Sequence, residues 1–289
     1  MAKFDNISTI KTVTKTIDPL IGAIIGDVCG SGYEWHNAKT KQEIKLSFDS
    51  PSRFTDDTVL SCAIAEWLVD GKNGTTEDQE QILKDRLDKY GKAHPNAGYG
   101  HIFREWLAMK NKEPMNSFGN GAAMRCSACA CVAESYDELM ELAKQSAAVT
   151  HNHPEGIKGA QALCYAIWST LCGYPDKEYL KQDIERNFGY DLSKTVDEIH
   201  GSHKFDATCQ VTVPEAIIAF LEGDSFDDVF KKAIWIGGDS DTIADMACAL
   251  AAAYYGIPDG YREKVQSLLT EDLNTTISKF ENYISNGEK

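Results

Sequence analysis

Two short acidic segments carry the residues best suited to chemistry in this chain. Arg53-Phe54-Thr55-Asp56-Asp57-Thr58 and Gly237-Gly238-Asp239-Ser240-Asp241-Thr242 stand about 180 residues apart. Each directly precedes an apolar run with three- and four-residue spacing, so each falls at a helix start. Asp and Thr are good N-caps there, and capping accounts for one acidic residue at each corner. Each corner carries two, and the Gly237-Gly238 pair lets backbone and ligand approach closely. If the fold brings the corners together, four Asp and two Thr converge with neither His nor Cys. Such an all-oxygen set suits a hard cation: Mg²⁺, Mn²⁺ or Ca²⁺. Two ions about 3.5–4 Å apart are a reasonable occupancy. The EF-hand loop pattern is missing, which disfavours calcium sensing.

Between the corners, Ser117-Phe118-Gly119-Asn120-Gly121-Ala122-Ala123-Met124-Arg125 joins a loop to an apolar helix. A Gly-x-Gly turn feeding a helix start can offer backbone N–H groups to a phosphate, and an ordinary tight turn fits the same residues. No third Gly and no Walker lysine accompany it, so neither a Rossmann nor a P-loop site is indicated. Arg125 either meets a phosphate or pairs with an acidic neighbour. His151 and His153 alternate in a polar interhelical turn without a third zinc ligand. Glu34 follows the glycine break of GAIIGDVCGSGYE, where a loop can carry a general acid/base over a site. Cys126, Cys129 and Cys131 lack a second Cys/His pair and read as core thiols, like the other six cysteines.

The elements that must position these residues read as helices. Apolar periodicity predicts them over 61–69, 127–133, 139–149, 157–171, 213–221, 226–235 and 243–255. The best strand candidate is 210–213. Residues 176–206 are polar enough to form a surface excursion. The expectation is an all-α, single compact domain over 18–289, preceded by a loose leader over 1–17. With 289 residues, 43% of them hydrophobic, the chain can bury a large core unaided. Its net charge of −15 repels phosphate backbones and anionic lipid, which argues against nonspecific nucleic-acid or membrane-surface binding. The N-terminal stretch has no signal-peptide run, and no segment reaches the ~18 apolar residues of a membrane span. A cytoplasmic protein is expected.

The order of these pieces resembles the ADP-ribosylglycohydrolase family. The matching stretches are GAIIGDVCGSGYE, FTDDT, SFGNGAAMR, the TH of THNHPEG, and GGDSDTIA. They span roughly residues 20 to 257, and the TDDT and GGDSDT pair is the most specific part. The resemblance implies an all-α orthogonal multi-helix fold with a binuclear Mg²⁺ (sometimes Mn²⁺) centre in a cleft. It makes Thr55, Asp56, Asp57, Asp239, Asp241 and Thr242 the metal ligands, and Glu34 the flexible-loop glutamate. Ser117, Phe118, Gly119, Asn120 and Gly121 become the loop that holds the diphosphate and distal ribose. Met124 and Arg125 would support that loop, and His151 would help fix the diphosphate-ribose end. The implied activity is hydrolysis of the bond between ADP-ribose and a modified acceptor, with Glu34, Asp56, Asp57 and Asp241 as catalytic residues. Arginine- and serine-linked acceptors fit equally, and small ADP-ribose conjugates are a further substrate class. An idle ADP-ribose-binding module would keep the same loop without turnover.

Overall fold

The computed structural model describes residues 13–34, 37–71, 75–173, 176–202 and 205–286. They form fourteen α-helices and, among the described residues, no strand beyond one isolated bridge between Gly119 and Thr208. In order these are α1 (Asp18–Gly30), α2 (Asp56–Gly71), α3 (Thr76–Ala93), α4 (His101–Ala108), α5 (Ser127–Val132), α6 (Tyr136–Ala148) and α7 (Pro154–Leu171). There follow α8 (Lys177–Phe188), α9 (Val196–Ser202), α10 (Cys209–Glu222), α11 (Phe226–Ile236), α12 (Ser240–Tyr255), α13 (Tyr261–Ser267) and α14 (Glu271–Asn286). The all-α expectation holds. None of the described helices is long and apolar enough to cross a membrane.

The architecture is organised around α1 and α12. Both are dominated by small and apolar residues, as central helices are, and every residue from Pro19 to Gly30 and from Ser240 to Ala252 is buried. They cross at unusually short range because α1 turns Gly22, Gly26 and Gly30 toward α12. A Cβ on Gly26 would lie 2.2 Å from the Ala244 carbonyl oxygen, and one on Gly22 2.4 Å from that of Cys248. Gly30 sits against the Asp241 backbone, where a Cβ would come within 2.8 Å of its Cα. Around this pair, α2 packs on α1, α3, α5 and α14, while α7, α10 and α11 close the other side of α12. Gly26→Ala is therefore expected to lose about 3 kcal/mol or more of stability, since rigid backbone blocks the methyl. Urea unfolding measures it; a loss below about 1 kcal/mol would mean the crossing yields easily.

Two expectations change here. Residues 210–213 form the start of α10 rather than a strand. The β-branched alternation of Val211-Thr212-Val213 favours extension locally, but burial of Thr212, Val213, Ala216 and Ile217 follows a helical stripe against α7 and α12. Of the expected loose leader, residues 13–17 are docked. Val13 and Ile17 are buried, and the Thr14 N–H donates to the Leu171 carbonyl at 3.1 Å. Residues 1–12 lie outside the described residues. The described part of the polar 176–206 stretch contributes two helices, α8 packed on α7 and α9 on α10 and α11, and it buries Leu180, Ile184, Val196 and Ile199.

Candidate active site

The two acidic corners meet. Asp56 and Asp57 form the first turn of α2, and Asp241 and Thr242 the first turn of α12. Thr242 Oγ1 donates to Asp57 Oδ2 across the junction at 3.5 Å. Carboxylate oxygens of Asp27, Asp57 and Asp241 lie within 4.8 Å of one another, as do those of Glu34, Asp239 and Asp241. Asp57 Oδ1 and Asp241 Oδ1 are buried without a hydrogen-bond partner. Helix capping does not account for this arrangement. Asp239 occupies the N-cap of α12 yet makes no capping bond, and its Oδ2 instead accepts from Asn120 Nδ2 at 2.7 Å. The positive φ angles of Gly237 (86°) and Gly238 (73°) turn the chain into that position, in a region that favours glycine.

Crowding shows in the proton affinities. Burial pushes Asp241 well above the usual carboxylate range, and the charges of Asp239, Glu34, Asp27 and Asp56 add to it. Asp57 is raised in the same way by burial and by Asp27, Asp245, Asp241 and Asp56. Half-buried Asp56 is pushed up to about 8 by desolvation, then by Asp27, Asp239 and Glu34. Such mutual repulsion, with orphaned oxygens aimed into one space, is the environment that a divalent cation relieves. The residues present therefore fit a hard-cation centre. Oxygen is the only donor element among them.

Asp27 organises one corner and had no role assigned from sequence. It is fully buried one residue past the Gly26 contact. Its Oδ1 accepts the Thr55 hydroxyl at 2.6 Å. Its Oδ2 accepts the Thr55 N–H at 2.9 Å, the Thr58 N–H at 3.2 Å and the Thr58 hydroxyl. Four bonds thus tie the start of α2 to α1. Asp27→Ala strands two N–H groups and two hydroxyls, and a loss of about 3 kcal/mol or more is expected. Mn²⁺ binding should weaken roughly 10–100-fold, because Thr55 and Asp57 lose their alignment. Urea unfolding and an Mn²⁺ titration followed by electron paramagnetic resonance read the two effects separately. Asp245 was also missed: it is 1% exposed, both its carboxylate oxygens lack partners, and burial with the nearby Asp27 charge raises its pKa well above the ordinary carboxylate range.

The corners form the acidic end of a cleft of about 390 Å³, within the size range of small-molecule sites. Glu34, Ser117, Gly119, Asn120, Gly121, Met124, Arg125 and His151 all line it. Phe118 lies at the surface, 43% exposed, with its ring edge-on to His153 at 5.2 Å. The glycine turn has fewer free amides than its sequence implies. The Gly119 N–H is taken by Ser117 Oγ at 3.1 Å and the Asn120 N–H by the Ala207 carbonyl at 2.9 Å. In return the Cys209 N–H donates to Phe118 O at 2.9 Å, so the segment after α9 is stitched to the turn. Arg125 pairs with no carboxylate among the described residues. It is fully buried, and its Nη2 donates to Ser146 O and Thr150 Oγ1, both at 2.7 Å.

Two walls of the cleft were not foreseen. Phe205 and Ala207 form one, and Gly98 to Arg104 the other. Gly98, at φ 110°, brings the second wall so close that a Cβ would stand 3.2 Å from Asp56 Oδ1. The Gly-Tyr-Gly spacing of 98–100 was the available signal.

Residues 10–288 match the family model for ADP-ribosylglycohydrolase, and the chain belongs to that family. Human ADP-ribosylhydrolase ARH3 is 26% identical, over 88% of this chain and 90% of its own length. ADP-ribosylarginine hydrolase Tri1 of Pseudomonas putida is 25% identical, over 85% and 72% respectively. A solved ADP-ribosylglycohydrolase-related protein complex, 24% identical, matches with a TM-score of 0.64 across 91% of this chain and 98% of its own, and shares the fold.

Proposed function

We propose that this protein is an ADP-ribosylhydrolase that cleaves the glycosidic bond between ADP-ribose and a modified protein side chain, releasing ADP-ribose. The observation that carries the reading is the convergence of both acidic corners, with orphaned oxygens on Asp57 and Asp241, at one end of a cleft whose other wall is the glycine turn. Family membership and the names of the relatives, which include an arginine-specific hydrolase, support the same chemistry.

In this reading Thr55, Asp56, Asp57, Asp239, Asp241 and Thr242 hold two Mg²⁺ ions, with Mn²⁺ as a substitute. When bound, such ions supply Lewis-acid polarisation of the distal ribose and of the attacking water. The protein's own residues do the rest. Glu34 faces Asp239 and Asp241 and moves a proton to or from the leaving group. Asn120 fixes the Asp239 carboxylate by its 2.7 Å bond, so that one oxygen keeps a constant direction. Ser117, Phe118, Gly119 and Gly121 cradle the diphosphate and ribose, and Met124, Arg125 and His151 support them from beneath. Departure through an oxocarbenium-like state resembles other glycoside hydrolysis. All nine cysteines are buried and free, which supports a reducing, cytoplasmic setting.

Release of ADP-ribose from paired arginine- and serine-linked peptides tests the proposal, with Mg²⁺, with Mn²⁺ and after chelation. Metal-dependent release from either peptide is expected and names the linkage. ADP-ribose binding without release from any conjugate would reduce the chain to a binding module.

A further inference from the structure

We propose that Thr150 and Arg125 are positioning residues that lock neutral His151 as its Nε2–H tautomer and so aim a donor at the anionic part of the ligand. The inference rests on the reading of the cleft as an ADP-ribose site. It begins with Arg125, whose guanidinium has no lone pair: at the 2.7 Å contact with Thr150, Nη2 donates and Oγ1 accepts. The Thr150 hydroxyl must then send its one hydrogen elsewhere. Two acceptors are near, His151 Nδ1 at 2.6 Å and the Ala147 carbonyl at 3.5 Å. The carbonyl already accepts the Thr150 N–H at 3.1 Å and the His151 N–H at 2.8 Å, which occupies both its lone pairs. The hydroxyl therefore donates to Nδ1, and the ring hydrogen resides on Nε2.

That nitrogen lies beneath the glycine turn. Nε2 is 3.2 Å from where a Cβ on Gly121 would be and 3.6 Å from the corresponding point on Gly119. The two glycines leave open the space into which the donor points. Burial, with the Arg125 charge beside it, keeps the ring neutral by pushing its protonation well below the ordinary range. Arg125 Nε and Nη1 have no hydrogen-bond partner, so an uncompensated positive charge lies under the turn and favours a phosphate or diphosphate above it. The chain Arg125–Thr150–His151 converts a buried cation into a correctly oriented neutral donor.

Long-range ¹H–¹⁵N spectra of the full chain labelled in histidine test this, with His151→Gln identifying the resonance. The expected pattern is a protonated Nε2 and an unprotonated Nδ1 at neutral pH. Thr150→Val should mix the tautomers and weaken ADP-ribose binding about tenfold, and Thr150→Ser should restore both. A protonated Nδ1 in the wild type overturns the assignment, as does a Thr150→Val protein with unchanged tautomer and affinity. A wild-type protein that shows Nε2–H yet binds no ADP-ribose upholds the tautomer and counts against the proposed activity instead.

Discussion

Asp241→Asn is expected to cut ADP-ribose release on the order of 10²–10⁴-fold while making the chelated protein more stable than the wild type. The two effects share one cause. Asp241 is 4% exposed, has an unpartnered oxygen and is surrounded by the charges of Asp239, Glu34, Asp27 and Asp56. Asn keeps the size, and because Asp239 rather than Asp241 holds the N-cap of α12, the exchange forfeits only a helix-dipole contribution of about 0.3–1 kcal/mol. It removes a carboxyl that, without a bound cation, either repels its neighbours or must take up a proton. A gain of roughly 1–3 kcal/mol is the usual scale for relieving an unsatisfied buried polar group. Single-turnover release and calorimetric melting in chelator read the two sides. A variant with full activity would end the assignment of Asp241 to the reacting centre; lost activity together with lost stability would point to a structural role.

In chelator, the wild-type protein should melt at a lower temperature at pH 8 than at pH 6.5, against the common trend for acid-labile proteins. The sign follows from the raised carboxyls. Asp56, held up to about 8, and Asp57, Asp241 and Asp245, each raised well above the ordinary carboxylate range by burial and by neighbouring carboxylates, retain protons in the folded state that the unfolded chain has already released. The folded state thus binds more protons, and stability falls as pH rises between the unfolded carboxylate range and the folded values. His151 acts oppositely, because its folded pKa is depressed. Its unfolded imidazole sheds its remaining protons within about a unit above pH 6.5, so it offsets the carboxyls only at the low end of this window. Lys177, lowered to about 8, contributes only above that pH. Between pH 6.5 and 8 the slope approaches about 1.4 kcal/mol per unit for each carboxyl still protonated. Each kcal/mol corresponds to about 2–4 °C in a domain of this size. Saturating Mg²⁺ should reverse the trend, raising the melting temperature more at pH 8, where fewer protons compete. An Mg²⁺ shift that is equal at both pH values would place cation binding away from these carboxyls.

What the sequence made legible followed from local pattern. Dense apolar periodicity placed the buried parts of α2, α7, α10, α11 and α12, and the paired acids at two helix starts placed both corners. Helices such as α3 and α14 were not foreseen because they bury only a thin stripe: in α3 that stripe is Leu83, Leu87 and Tyr90, amid charged residues. Asp27 sat in a small-residue run that reads as close packing, and its function lies in four hydrogen bonds to residues about thirty positions away. Asp245 lies one helical turn beyond Asp241 and reads as an ordinary polar position until α1 buries it. The Gly98–Arg104 wall carries no acidic pair or ligand spacing, and its Gly-Tyr-Gly run gains meaning only through the approach of Gly98 to Asp56. Side chains that act through long-range burial leave little trace in a local pattern.

The acidic corners are gauged from a single turn of α1. Asp27 fastens Thr55 and Thr58 at one end of that turn, and Gly30 seats the backbone of Asp241 at the other. Their separation in space therefore owes nothing to the 185-residue path that joins them in sequence. Loops on that path that touch neither α12 nor Asn120 can lengthen or shrink without shifting one corner against the other. The cleft wall built from 98–104 belongs to the variable part. A lineage with this frame can vary what its cleft admits while inheriting the acidic centre unaltered.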